Sequence, residues 1–166
     1  EDRHQEPGRE SVEPEGERDA LTSVPIDLTP ALSGGLGHVL VIVEPTQWSY
    51  DDENWANRPR ARWVQVTRLG LSVFADAGSV TAWVTSLADG KPIGGATVSV
   101  LASGVEAVTS AEAVAGAEAV SGADGLASPD IAALTAASAP RIESELAFLA
   151  TKDGDACLLP LGWGYG

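Results

Sequence analysis

Residues 63–101 read WVQVTRLGLSVFADAGSVTAWVTSLADGKPIGGATVSVL, and β-branched and aromatic side chains recur through them between turn signals. This is the pattern of successive antiparallel strands. Ser79 to Leu87 places Thr81, Trp83, Thr85 and Leu87 on one face and Val80, Ala82 and Val84 on the other, since side chains alternate along a strand. Apolar groups on both faces predict a strand in the middle of a packed sheet. Ala88 to Gly95 breaks the pattern with Gly and Pro, which favour turns and interrupt central strands. Ala96 to Leu101 resumes as a new strand. The fold class read here is all-β.

Around this centre, 166 residues allow one domain of ordinary size with flanking material. A formal net charge of −14 argues against a nucleic-acid partner, which needs Lys and Arg to displace counterions from phosphates. Cys157 is the single cysteine, so an internal disulfide is excluded, and no Cys/His cluster offers a metal site. His4 and His38 are far apart in sequence. No apolar run approaches the roughly 18 residues of a membrane span. Because Glu1 stands where an initiator Met would, we expect a piece of a longer polypeptide.

In chain order, residues 1–20 are mostly Glu, Asp, Arg, Pro and Gly, the composition of a flexible acidic linker. Val24 to Thr29 reads as a short alternating strand and His38 to Glu44 as an apolar one, joined by the turn-rich Pro30 to Gly37. Two strands alone are not independently stable, so they are expected to close a preceding β domain. Pro45 to Arg62 reads as a linker carrying Trp48, Tyr50 and Trp55. These are the candidate binding residues, because aromatics spaced in a loop can stack on sugars or grip a partner; the competing reading packs them between adjacent domains.

After Leu101, Glu-Ala-Val recurs at 106–108, 112–114 and 118–120. A six-residue period makes no helical stripe, and part of the repeat, Ala113 to Ser121, is expected to pair as an edge strand whose Glu residues discourage aggregation. Asp124-Gly125 is a turn signal, without the alternating acidic ligands of a calcium loop. Ser128 and Pro129 open an expected helical turn through Ala137, ended by Pro140. Glu143 to Thr151 and Ala156 to Leu161 form two strands joined by a tight turn at Lys152 to Asp155. Residues 162–166 resemble the start of a further linker.

The patterns that would support catalysis are missing. There is no GxSxG, HExxH or GxxxxGKS, and Gly34-Gly35-Leu36-Gly37 is too short for a dinucleotide fingerprint. A pair of carboxylates brought together by the fold stays open, although the acidic residues concentrate in tail, linker and turns. Cys157 lies inside a predicted strand, where a small buried apolar role is expected. No catalytic residue, metal ligand or cofactor is assigned.

In order and spacing, several segments together resemble the macroglobulin-type domains near the front of bacterial alpha-2-macroglobulins. They are Trp63 to Leu71, Val80 to Leu87, Gly90 to Val98, Ala123 to Ala127, and Leu149 to Asp155 with Leu158-Leu159-Pro160. Ile26 to Thr29 with Gly37 to Val41 resembles the end of the preceding macroglobulin domain. The resemblance covers most of Val24 to Leu161. It implies an antiparallel β-sandwich, fibronectin III-like or immunoglobulin-like, about the hundred residues such folds use. It also implies an organisation of 1–20 acidic linker, 21–45 terminal strands of a preceding β domain, 46–61 linker, 62–162 macroglobulin-like sandwich and 163–166 next linker. The implied function is that of a non-catalytic structural domain in a broad-range endopeptidase inhibitor of the periplasm, cell envelope or extracellular space. Its partners would be neighbouring domains of the same polypeptide and, through the full-length parent, the trapped proteases. The family's thioester, a Cys followed closely by Glu-Gln, is not present; Cys157-Leu158-Leu159 does not match it. The alternative is an extracellular adhesive or carbohydrate-binding immunoglobulin-like module with Trp48, Tyr50 and Trp55 as its platform.

Overall fold

The computed structural model of the chain describes residues 8, 11, 15, 20–45, 58–76, 79–102, 117–130 and 146–160. Two units divide it, Glu1–Val66 and Thr67–Gly166.

Among its described residues the first unit contains a 3-10 turn, Thr29–Ala31, and an antiparallel strand pair, β1 (Gly37–Val43) and β2 (Arg60–Val66), in the register Leu40 to Trp63 and Gly37 to Val66. Before β1, Ser33 and Leu36 exchange backbone hydrogen bonds of 3.0 and 3.1 Å across Gly34 and Gly35. Both glycines have positive φ, which a two-residue turn of this hand demands. Val24 to Thr29 differs from the expected strand: Val24 to Leu28 has no regular structure and Thr29 begins the 3-10 turn. Pro25 has no N–H for a ladder, and the Asp27 carboxylate accepts the Thr29 N–H at 2.9 Å, curling the chain into the 3-10 turn instead. The Thr29 hydroxyl, then its backbone N–H, hold the Asp27 carboxyl below the usual carboxylate range.

The stretch around Trp63 also differs from its sequence reading. Arg60–Val66 is a strand on β1, covering the last residues of the expected 46–61 linker and the first of the expected sandwich, and the units divide after Val66. The break has a local cause: the Thr67 hydroxyl accepts the Leu69 N–H at 3.0 Å, a side-chain turn that ends one strand before the next begins.

The second unit is the antiparallel β-sandwich. One sheet has the order β3 (Leu69–Asp76), β4 (Ser79–Ser86), β7 (Leu126–Ala127); the other has the order β6 (Glu118–Val120), β5 (Thr97–Ala102), β8 (Leu146–Lys152), β9 (Asp155–Pro160). Alternation decides which side chains meet. Leu69, Val80, Ala82, Val84 and Ala127 of the first sheet and Val98, Val100, Leu146, Phe148, Ala150 and Cys157 of the second form one buried cluster with Ala96. Large faces small across the ladder: Phe148 is opposite Val100, and Ala150 lies between Val98 and Cys157. Phe148 is fully buried, worth about 1.5–3 kcal/mol in apolar transfer alone.

β4 is the central strand of its sheet, as its pattern predicts, but only one of its faces is covered. Trp83 is 39% exposed beside its cross-strand partner Leu126, and its indole N–H donates to the Asp124 carbonyl at 3.2 Å. An amphipathic ring with a bonded N–H tolerates this position. The third Glu-Ala-Val copy, Glu118–Val120, is the edge strand β6 on β5, with the Glu118 carboxylate accepting the Ser99 hydroxyl at 2.9 Å. The first two copies, most of the expected 128–137 helical turn and residues 162–166 lie outside the described residues. The Lys152 to Asp155 turn is present, with Asp153 and Gly154 both at positive φ.

Phe148→Ala is expected to lower the urea unfolding free energy of the chain by about 3–5 kcal/mol. Leu126→Ala, on the open face, is expected to cost less than about 1 kcal/mol. Equal losses would contradict the one-faced core.

Candidate functional site

The sandwich gathers its turns at one place, where the loop 87–96, the link 121–125 and the β8–β9 turn converge. β7 is two residues long, so beyond it the β4 edge must find other partners. The Val84 N–H donates to the Gly125 carbonyl and the Val84 carbonyl accepts the Ile93 N–H, both at 2.9 Å; Thr85 pairs with Pro92. The Ser86 N–H donates to the Lys91 carbonyl at 2.8 Å and Ser86 accepts the Gly90 N–H at 2.8 Å, closing the turn. Lys91 binds the Asp89 carboxylate at 2.8 Å; this ammonium first, then the Ser86 hydroxyl, keep that carboxyl below its usual range.

Ser121 ties the loop to the link. Its buried hydroxyl donates to the Ile93 carbonyl at 2.8 Å and accepts the Ala96 N–H at 2.9 Å, while its backbone bonds Gly95 and Ala96. The segments are so close that a Cβ on Gly94 would stand 2.9 Å from the Gly122 carbonyl oxygen, and one on Gly125 2.5 Å from the Val84 oxygen. Gly125 is also at positive φ, so two separate requirements select glycine there. The Lys152 ammonium donates to the Gly94 carbonyl from the neighbouring turn.

Asp155 closes the group from the other side. It is 7% exposed; one carboxylate oxygen accepts the Arg68 N–H and the other the Ala156 N–H, each at 2.8 Å. The last strand thereby holds the chain as it enters the first. Two residues on, burial and secondly the Asp155 charge push the Cys157 thiol up, against a weaker pull from the Leu71 backbone. A buried thiol kept neutral is a packing group, as expected, and a poor nucleophile.

Beside the β8–β9 turn lies an open depression of about 450 Å³ lined by Gly95, Thr97, Thr151 to Asp155 and Ala156. Its ammonium is bonded to Gly94 and its buried carboxylate to two backbone N–H groups. What remains is a shallow surface without a base set against a nucleophile, the arrangement acyl or glycosyl transfer needs. Among the described residues no group of three or more metal-ligating side chains converges. Trp48, Tyr50 and Trp55 lie outside the described residues. In the first unit the His38 and Trp63 rings stack at 5.4 Å with 12° between their planes, a pairing made by the register that brings Gln65 and Trp63 opposite His38 and Leu40. Ser121 and Asp155 carry no sequence signal for joining these segments, since the partners they join, Ala96 for Ser121 and Arg68 for Asp155, lie 25 and 87 residues away.

No protein-family model matches the chain, and no curated protein sequence does. Among solved structures it is similar to native alpha-2-macroglobulin from Escherichia coli in a crystal structure spanning domains NIE-MG1. That likeness has a TM-score of 0.54 at 21% identity, covering 85% of this chain and 61% of that one. A second structure of the same E. coli protein, spanning domains MG0-NIE-MG1, aligns with a TM-score of 0.48 at 20% identity over 74% of this chain and 33% of that one. At such identity the likeness is one of fold: this chain has the β architecture of the NIE-MG1 region and spans about three fifths of that structure's length.

Ser121→Ala leaves the Ala96 N–H and the Ile93 carbonyl without their buried partner and is expected to cost about 1–3 kcal/mol in urea unfolding. Cys157 is expected to resist a thiol reagent in the folded chain and to react once urea unfolds it. Its raised folded value also sets a sign. Above the ordinary thiol range the unfolded chain loses this proton while the folded chain keeps it, so stability falls as pH rises through that window. A Cys157→Ala variant with an unchanged alkaline slope would show that other groups produce it.

Proposed function

We propose that this chain is a structural, non-catalytic part of a bacterial alpha-2-macroglobulin-like inhibitor that traps a broad range of endopeptidases. Its second unit would be a macroglobulin-like domain and its first unit strands belonging to the domain before it. The observation that carries the reading is the fold likeness over 85% of the chain to the NIE-MG1 region of the E. coli protein. The turn cluster agrees with it, because the buried carboxylate and the ammonium are spent on backbone groups instead of being presented to a substrate. Among the described residues no helix is long and apolar enough to cross a membrane. Action in the periplasm or outside the cell, at the envelope, belongs to the same proposal.

In this mechanism a protease cuts the parent polypeptide, the parent rearranges and the enzyme is held. The sandwich supplies a stiff element through which such a rearrangement is transmitted or resisted. Its stiffness comes from a close-packed core and from turns locked to one another by buried hydrogen bonds. Trp48, Tyr50 and Trp55 then pack between successive domains.

Two measurements test this. The isolated chain is expected to leave serine, cysteine and metalloproteases active on casein and on small chromogenic peptides alike. The longer polypeptide that carries it is expected to block casein cleavage while small peptides are still cut. Failure of the longer polypeptide to separate the two substrates would overturn the trapping role. Joint replacement of Trp48, Tyr50 and Trp55 by Ala is expected to lower the thermal midpoint of that polypeptide with no glycan binding to lose. Binding to a glycan panel that disappears with the aromatics would favour the adhesive module.

A further inference from the structure

Three Asp-Gly pairs occur in the chain, Asp89-Gly90, Asp124-Gly125 and Asp153-Gly154. Asp-Gly is the dipeptide in which a backbone nitrogen most easily reaches the preceding carboxyl, because glycine sets no Cβ in the way. Ring closure needs two freedoms: a carboxyl that can swing, and a glycine N–H not already committed to a hydrogen bond. The fold treats the three pairs differently.

At Asp89 the carboxylate is held by the Lys91 ammonium at 2.8 Å and by the Lys91 N–H at 3.3 Å, and the Gly90 N–H donates to the Ser86 carbonyl at 2.8 Å. At Asp124 the carboxylate accepts the Leu126 N–H at 3.1 Å, and the buried Gly125 donates its N–H to the Gly122 carbonyl at 2.9 Å. Asp153 and Gly154 are both exposed at the tip of the β8–β9 turn, and nothing stands within 4 Å of the open side of Gly154. Among the described residues, no group bonds the Asp153 carboxylate and none accepts the Gly154 N–H.

We propose that Asp153 is a site of spontaneous covalent modification, isomerising to isoaspartate through a succinimide, and that the fold directs this reaction to Asp153 over Asp89 and Asp124. The Gly154 nitrogen attacks Cγ of the protonated Asp153 carboxyl. A C–N bond forms, the C–OH bond breaks, and the hydroxyl leaves with the amide proton as one water. Solvent water then adds to one of the two ring carbonyls. Breaking the nitrogen's bond to Cγ restores aspartate; breaking its bond to the main-chain carbonyl carbon leaves the chain running through the side chain as isoaspartate. Nothing is oxidised or reduced.

The product puts an extra methylene into the backbone of a two-residue turn whose ends, Lys152 and Asp155, are paired in register. Those two residues hold Gly94 and Arg68, so the change reaches the convergent turns directly. This is a proposal about the chain's own chemistry and does not rest on the trapping role.

The test is to age the full chain in warm neutral buffer, folded and in urea, label isoaspartate with an isoaspartyl methyltransferase and a labelled methyl donor, and map the peptides. In the folded chain, label at 153 is expected several-fold above label at 89 and 124; in urea the three are expected to label alike. Equal labelling in the folded chain, or label in urea but none at 153 when folded, would overturn the proposal. Asp153→Asn suits the same left-handed turn position and loses ammonia in place of water, so its deamidation is expected to be faster than isomerisation of the aspartate. Absence of deamidation in folded Asp153→Asn, with deamidation in urea, would show that the turn holds Gly154 out of reach.

Discussion

The sandwich depends on one buried hydroxyl. Ser121 gives its proton to Ile93 and takes one from Ala96, so a single small side chain satisfies both polarities of a loop that has left its sheet. A buried N–H or carbonyl without a partner is costly, and the loop 92–96 runs from exposed Pro92 through half-buried Ile93 to buried Ala96 as it reaches β5. The hydroxyl works only if the two backbones touch, and they touch only because positions 94 and 125 lack Cβ atoms. Hydroxyl and glycines are therefore one device: the glycines let the segments approach, and the serine makes the approach polar-neutral.

From that device the asymmetry of the unit follows. The loop 92–96 covers the part of the β4 edge that two-residue β7 leaves open, so the first sheet stays narrow while the second has four strands. The narrow sheet buries only its inward face, and Trp83, Phe74 and Leu126 are left partly or largely exposed. Scattered apolar groups of this kind are ordinary on protein surfaces. Here they mark the side of the sandwich that contributes least to its core.

How much of this was legible in the sequence depended on the range of the interaction. Alternation grouped Val80, Ala82 and Val84 on one face, the one the structure buries, and Lys152 to Asp155 was readable as a turn because an Asp-Gly pair between apolar runs needs nothing distant to form. The strand at Glu118–Val120 was legible from its even period. The division after Val66 was not, because a strand pattern running from Trp63 into Leu71 does not say which part belongs to β1; the Thr67 side-chain turn decides that. Val24 to Thr29 alternates correctly but lacks a partner strand, and Pro25 and Asp27 outweigh alternation there. For Trp83 the face was read correctly and its cover was not: a two-faced apolar pattern fits a covered strand and an open face with an amphipathic ring equally well. The resemblance to macroglobulin domains agreed with the fold, while Trp48, Tyr50 and Trp55 lie outside the described residues.

The Asp155 carboxylate has a consequence in time as well as in space. It joins the start of β9 to the residue just before β3, 87 positions earlier. Contacts of such long sequence separation close late, because the entropy of the intervening loop must be lost before they form. During synthesis the first strand of the sandwich therefore waits, its entrance unsecured, until nearly the whole unit has emerged. A nascent chain stalled before Asp155 would hold β3 to β8 without β9, leaving the entrance of β3 untied, Cys157 absent from the core and β8 an open edge, the kind of unpaired edge a molecular chaperone can hold.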